Sequence, residues 1–187
     1  MNHTSRSFAF SLFALVAAAC SAPAGDDTST GDVGDTQDAI TGAACDRSAI
    51  LAHASGARKT AIERGLAWYD ARVPYNQSRS HEGYRTDCSG FVSMCWETGT
   101  SYTTASFAAG TAVQHLASYS DLLPGDALLY RTSGEGHVML FAGWADSGHS
   151  NACVIEERST ALGMQFHTRA VSSLHSIGYK PIRSDEF

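Results

Sequence analysis

The sequence lacks any run or stripe of basic residues. Its 13 lysines and arginines are outnumbered by 19 aspartates and glutamates, which gives a formal net charge of −6 at pH 7. A surface that binds nucleic acid needs clustered positive charge. We therefore expect no nucleic-acid partner.

Metal-binding and membrane-spanning patterns are also missing. Neither Cys-x-x-Cys nor His-Glu-x-x-His occurs, and His149 with Cys153 does not by itself make a zinc site. We therefore expect no metal and no other cofactor. After residue 20 no apolar stretch is long enough to cross a bilayer, and no internal repeat is present.

The first 20 residues have the pattern of a secretory signal peptide. Arg6 precedes an uncharged apolar run over residues 8–19, which is too short to span a membrane and is followed by small residues. Cys20 follows three alanines and resembles the lipidated cysteine of bacterial lipoproteins, although Ala17 stands where leucine is usual. Lipidation of Cys20 and ordinary cleavage nearby both stay open. A lipid on Cys20 is the sole membrane contact that we expect.

Residues 21–45 are rich in Gly, Ser, Thr, Asp and Ala and nearly free of large apolar side chains. Such a segment cannot bury enough surface to offset its ordering entropy, so we predict a disordered linker. Residues 46–187 then make one domain of ordinary size, which we expect to be a monomer.

The first half of this domain has helical patterns. Apolar residues at three- and four-residue spacing predict a helix over about residues 47–72, which Pro74 ends. The polar segment 75–86 is predicted to be a loop, and residues 108–120 form a weaker helical pattern. Asp87 is a good cap for another helix, whose first turn contains Cys88.

The second half has the pattern of a sheet. After the turn signal Leu-Leu-Pro-Gly-Asp there are five short apolar runs, at residues 127–130, 136–144, 151–157, 163–171 and 176–183. Short runs separated by Gly, Ser and Asp predict an antiparallel meander. Helices first and strands afterwards indicate an α+β fold, with the helices packed on one antiparallel sheet.

Cys88 is the first candidate for chemistry. Unpaired amide groups and the helix dipole at a helix start favour an anion, and the thiolate is the nucleophilic form of cysteine. Gly90 is expected to leave space beside the sulfur. A buried or bridged structural cysteine is the alternative, although a structural cysteine gains nothing from a position at a helix start.

The pairing of the cysteines stays open at this stage. An exported protein tends to form disulfides, and the domain holds Cys45, Cys88, Cys95 and Cys153, which allow three full pairings. A bridge between Cys88 and Cys95 is geometrically poor, because two helical turns separate their Cα atoms by about 10 Å. A bridge from Cys88 to Cys45 or Cys153 would exclude catalysis.

A thiolate nucleophile needs a neighbouring base and an orienting group. His137 opens the predicted strand at residues 136–144, although a histidine in this position is often an ordinary polar edge residue. Glu156 and Glu157 end another predicted strand. Side chains alternate along a strand, so only one of the two can face His137. Charged residues there usually mark the solvated end of a strand. His167 lies in a later predicted strand.

Three segments together resemble the NlpC/P60 family of bacterial cell-wall cysteine peptidases. They are TDCSGFV at residues 86–92, LLPGDALL at residues 122–129 and GHVMLFAGW at residues 136–144. The resemblance covers about residues 65–183. It implies a papain-like α+β fold, permuted so that N-terminal helices, including the cysteine helix, precede and pack on an antiparallel sheet of five to six strands.

The resemblance also implies the site. Cys88 matches the family's nucleophile and His137 its base, while Glu156 fits the third position best and Glu157 second. Tyr75, Asp87 and Ser89 resemble the set that holds the free amine of a muropeptide stem.

The implied activity is cleavage of peptidoglycan stem peptides through a thioester acyl-enzyme, at the γ-D-glutamyl–diamino-acid bond. The protein would act after export, in the periplasm, on the outer membrane or outside the cell. An amidase or acyl transferase of the same fold, or a non-catalytic secreted binding module, are the alternatives.

The sequence departs from the family in two ways. The Trp-Gly-Gly segment that often follows the family's tyrosine is replaced by NQSRSHEGYR, which bears on how the substrate is held. No recognisable wall-binding repeat precedes the domain.

Overall fold

The structure is a computed structural model that describes residues 44–187. The predicted signal segment, Cys20 and nearly all of the predicted linker at residues 21–45 lie outside the described residues.

Within residues 44–187 the chain forms five α-helices: α1 (Arg47–His53), α2 (Gly56–Ala71), α3 (Cys88–Cys95), α4 (Thr104–Ala108) and α5 (Val171–Ile177). The same part of the chain forms eight strands: β1 (Asn76–His81), β2 (Tyr84–Thr86), β3 (Val113–His115), β4 (Ala127–Arg131), β5 (Gly136–Trp144), β6 (Asn151–Glu157), β7 (Met164–Ala170) and β8 (Lys180–Ser184). A 3-10 turn, Tyr119–Asp121, precedes β4.

Six of the strands described at residues 44–187 make one antiparallel sheet in the order β3-β8-β4-β5-β6-β7. Side chains of β5 alternate between two apolar clusters, with Val138 and Leu140 in one and Met139 and Phe141 in the other. The first cluster contains the apolar side chains of α2 and α3, and the second contains Leu174 of α5. The expected combination of helices with an antiparallel sheet of five to six strands is confirmed.

Two helix predictions for the first half of the domain were wrong. The single helix predicted over residues 47–72 is divided into α1 and α2, because Ala54 and Ser55 both have extended backbones. The weak helix predicted over residues 108–120 is not formed. Gly110 and Ala112 have positive φ angles there, of 83° and 60°, and the chain then enters β3.

The predicted polar loop over residues 75–86 is a β-hairpin made of β1 and β2. His81 pairs with Tyr84, so Glu82 and Gly83 form a two-residue turn. Both have positive φ angles, of 50° and 85°, which is the backbone of a type I′ turn. The side chains of β1 are almost all exposed, so the hairpin has no apolar alternation by which the sequence could show it.

A disulfide joins Cys45, just before α1, to Cys153 in β6. The two residues are 108 positions apart in the chain, and their Cα atoms are 5.6 Å apart. Cys88 and Cys95 both carry free thiols. The bridge that would exclude catalysis is therefore not formed.

The Pro-Gly-Asp turn before β4 is held by ion pairs. Asp126 is fully buried and accepts hydrogen bonds from Arg58 Nη1 at 2.7 Å and from Arg183 Nη2 at 2.8 Å. It also accepts from the amide of Leu123 at 2.8 Å. Since Arg58 belongs to α2 and Arg183 to β8, this one carboxylate ties the helical layer to the sheet.

None of the helices formed by residues 44–187 is both long enough and apolar enough to cross a membrane.

Candidate active site

The cysteine helix begins as the sequence predicts. Asp87 is the N-cap of α3, and its Oδ1 accepts a hydrogen bond from the amide of Gly90 at 2.7 Å. Gly90 allows a close approach between β2 and α3. A Cβ atom at this position would collide with the backbone carbonyl of Arg85, so the glycine lets β2 pass close to the helix.

The structure brings Cys88 and His137 together. Cys88 is 7% exposed and His137 is 4% exposed. Cys88 is close enough to the His137 side chain to raise the pKa of His137 through charge and hydrogen-bonding interactions. On its other side, His137 Nε2 lies 2.5 Å from Glu156 Oε2, which leaves Nδ1 of the ring for the thiol. The three side chains therefore form a continuous line from sulfur to carboxylate.

Charge interactions along this line set the protonation of His137 and Glu156. Burial alone would lower the pKa of His137, but interactions with Cys88 and Glu156 outweigh burial and raise that pKa to about 10. Burial alone would raise the pKa of Glu156, but the hydrogen bonds with His137 and His167 hold it far below its usual range. Glu156 is thus a carboxylate at every physiological pH, and it can orient His137 and stabilise its charge.

Glu156 and Glu157 point to opposite faces of the sheet. Glu157 lies on the same face of β6 as Cys153 and Ile155, which belong to the apolar cluster on the side of α2 and α3. Glu157 is 0% exposed, and neither of its carboxylate oxygens has a hydrogen-bond partner. The expectation that these two acids mark the solvated end of the strand was therefore wrong.

Glu157 is a neutral carboxylic acid at neutral pH. Burial raises its pKa to about 8, with further contributions from the charges of Asp87 and Glu156. An unpaired carboxylate is costly to bury, so the group retains its proton instead.

This raised pKa has a consequence for stability. The folded state holds the Glu157 proton up to about pH 8, whereas the ordinary pKa of 4.5 applies to the unfolded chain. The contribution of Glu157 to folding stability is therefore complete below its pKa in the unfolded chain. It is lost as the pH rises through its pKa in the folded state. We expect the Glu157→Gln variant to gain stability relative to the wild type between about pH 5 and about pH 9.

Urea denaturation across this pH range measures that difference. Glu63→Gln is the matched control, because Glu63 is an exposed residue of α2. We expect its stability difference from the wild type to stay constant with pH. A constant difference for Glu157→Gln as well would contradict the assignment of a buried, neutral Glu157.

Tyr75 lies close to the thiol. Burial is the main reason that its pKa is raised to about 12, and Cys88, Asp87 and Glu157 add to the shift through their charges. Its hydroxyl accepts a hydrogen bond from Gln77 Nε2 at 3.1 Å. A groove of about 610 Å³ borders Tyr75, between residues 69–75 and the loop at residues 160–164.

Asp87 and Ser89 are both engaged by Arg85. The guanidinium Nε of Arg85 donates to Asp87 Oδ2 at 2.5 Å, and its Nη2 donates to Ser89 Oγ at 3.1 Å. The structure therefore places these two residues beside Cys88, but each already has a partner. Their contact with a substrate amine remains a prediction, and Arg85 is a neighbour that the sequence did not indicate.

His167 was also missed. Its Nε2 lies 2.6 Å from the second oxygen of Glu156, Oε1. The available signal was the alternation of β7, in which His167 pairs with Val154 and thus lies on the same face as Glu156. Without the register of β6 against β7, the sequence could not show this contact.

Among residues 44–187 no group of three or more histidine, cysteine, aspartate or glutamate side chains could hold a metal ion.

No protein-family model matches the chain, and no curated protein matches it.

The two-histidine environment of Glu156 determines what happens when it becomes glutamine. The glutamine oxygen can accept from His137 Nε2, provided that the glutamine NH2 group donates to His167. His167 can accept by carrying its proton on Nδ1, because its side chain is 29% exposed and Nδ1 can reach water. We expect kcat of Glu156→Gln to fall by roughly 10- to 100-fold, since a charged hydrogen bond becomes a neutral one.

The matched control is Glu157→Gln, assayed under the same conditions at neutral pH. Its activity is expected to stay close to wild type, because a neutral acid is replaced by a neutral amide of similar shape. If Glu157→Gln were instead the inactive variant, Glu156 would not be the residue that orients His137.

Proposed function

We propose that this protein is a cysteine peptidase of the NlpC/P60 family, with a papain-like fold, that cleaves peptidoglycan stem peptides. The observation that carries the proposal is the line formed by Cys88, His137 and Glu156. The free state of Cys88, while Cys45 and Cys153 are bridged, favours an enzyme over a non-catalytic binding module.

Each side chain in the line has a role in amide hydrolysis. Cys88 Sγ attacks the carbonyl carbon, and His137 accepts the thiol proton and delivers it to the leaving amine. In this proposal, amide groups near Cys88 at the start of α3 stabilise the oxyanion. Water then attacks the thioester with His137 as the base, which releases the acid product and restores the thiol. Glu156 holds the imidazole and balances its positive charge.

The substrate follows from the family resemblance and from the surroundings of the thiol. The groove bordered by Tyr75 supports a binding place for an extended peptide, and Tyr75 is near enough to Cys88 for the charge of Cys88 to affect its pKa. We propose the γ-D-glutamyl–diamino-acid bond as the bond that is cut. Action on the cell wall also requires export, which agrees with the signal pattern at residues 1–20 and with a lipid on Cys20 as an anchor.

Mass spectrometry of purified muropeptides incubated with the protein tests this proposal. We expect two product masses that correspond to hydrolysis at the γ-D-glutamyl–diamino-acid bond. We also expect Cys88 to react with iodoacetamide near neutral pH faster than glutathione does, because the thiol lies beside His137. Intact muropeptides after long incubation, with a thiol that alkylates no faster than glutathione, would overturn the cysteine-peptidase proposal.

A further inference from the structure

The carboxylate of Glu156 contacts two histidines, one through each oxygen. Oε2 lies 2.5 Å from His137 Nε2, and Oε1 lies 2.6 Å from His167 Nε2. The proposed mechanism uses only the first contact. The second contact needs its own explanation, because His167 belongs to the neighbouring strand β7.

Glu156 and His167 differ in their exposure to solvent. Glu156 is fully buried, whereas the side chain of His167 is 29% exposed. A buried carboxylate oxygen without a donor carries a large desolvation cost, so the N–H group of His167 stabilises the ionised form of Glu156. The exposed part of the His167 ring stays in contact with solvent.

Arg169 competes for the same carboxylate oxygen. Its Nη1 lies 3.7 Å from Glu156 Oε1, which is beyond hydrogen-bond distance but close enough for attraction between the charges. While His167 occupies Oε1, this attraction cannot turn the carboxylate. Without the His167 donor, rotation toward Arg169 would move Oε2 away from His137.

We propose that His167 is a positioning residue for the reaction, forming with Cys88, His137 and Glu156 a four-residue relay that extends from the thiol to the protein surface. His167 acts only through Glu156, by donating an N–H to Oε1 and so fixing Oε2 against His137 Nε2. The effect on peptide hydrolysis rests on the proposed function, whereas the effect on the thiol does not.

Loss of His167 is also expected to change the pH at which the Cys88 thiol becomes reactive. Glu156 is one of the groups that raise the pKa of His137. The charged and titratable groups around Glu156 are His137, His167, Arg169, Glu157 and Tyr179. A carboxylate that turns toward Arg169 stabilises the His137 imidazolium less, so the thiol should become reactive only at higher pH.

A matched pair of variants tests the donor directly. His167→Gln places an amide N–H close to the position of Nε2, whereas His167→Met has a similar length and no donor. We expect kcat of His167→Met to fall by roughly 10- to 100-fold on a defined muropeptide, with KM nearly unchanged. His167→Gln should retain most of the activity. His53→Gln and His53→Met serve as controls, because His53 is an exposed residue at the end of α1.

A second measurement does not depend on peptide hydrolysis. The rate at which iodoacetamide alkylates Cys88, read by peptide mapping, is recorded against pH for each variant. We expect the profile of His167→Met to move to higher pH by about one pH unit, while that of His167→Gln stays with the wild type. If His167→Met fails to fold, His167→Ala replaces it.

The outcomes separate this inference from the proposed function. A wild type that cleaves no muropeptide overturns the proposed function, and the alkylation profiles still decide the role of His167. Identical profiles for the wild type and His167→Met overturn the positioning role. Equal losses in His167→Gln and His167→Met, with equal drops in melting temperature, also overturn it by showing a purely structural role.

Discussion

Replacement of Cys88 by alanine is expected to reduce muropeptide hydrolysis to background, a fall of at least about 1,000-fold. No neighbouring group can replace the nucleophile. Cys95 is fully buried in α3, and burial raises its pKa well above the usual range. The hydroxyl of Ser89 is held by Arg85 and by Asp87.

The control for this prediction is Cys95→Ala, which removes the other free thiol of the described domain. We expect it to retain hydrolysis near the wild-type rate. His137→Ala should be nearly as inactive as Cys88→Ala, because a nucleophile and its base act as a unit. Full activity in Cys88→Ala would show that the cysteine-peptidase proposal is wrong at its root.

Replacement of Asp126 by alanine is expected to lower the free energy of unfolding by about 3–5 kcal/mol, since it breaks a buried ion pair by removing one partner. Arg58 and Arg183 would then face each other without their shared carboxylate. The amide of Leu123 would lose its acceptor as well. The helical layer and strand β8 would thus lose the contact that ties them to the turn before β4.

An exposed ion pair in the same domain provides the matched control. Asp70 binds Arg47 through two hydrogen bonds, of 2.7 and 2.9 Å, but the side chains of both are largely exposed. Asp70→Ala should therefore cost less than about 1 kcal/mol. Urea denaturation of both variants measures the two costs, and similar values would contradict the structural role of Asp126.

The sequence was most informative where a residue type and a local element act together. Asp87 predicted the start of α3 because a carboxylate that caps a helix needs only neighbouring amides, and these are adjacent in the chain. Most strands of the sheet were likewise visible as short apolar runs. Alternation along one strand predicted that only one of Glu156 and Glu157 could face His137, and the family resemblance favoured Glu156. In the structure Glu156 Oε2 lies 2.5 Å from His137 Nε2.

What the sequence could not show depends on contacts between distant segments. The burial of Glu157 follows from helices that cover the end of β6, and the contact of His167 follows from the register of β6 against β7. The hairpin of β1 and β2 has exposed polar side chains, so its pairing is stabilised by backbone hydrogen bonds rather than by a readable apolar pattern. Helix α5 was missed for a similar reason, since Leu174 is its one fully buried side chain.

The Cys45–Cys153 bridge determines how the domain responds to mechanical force. A force applied to the chain before Cys45 is transmitted through the disulfide to Cys153 in β6. Strand β6 is hydrogen-bonded to β5 on one side and to β7 on the other. Helices α1 and α2 lie outside this path, so they cannot be peeled away first. Extension beyond the bridge therefore loads the two antiparallel ladders of β6 directly. Tension on the N-terminal side is therefore carried by the strand whose far end holds Glu156 against His137.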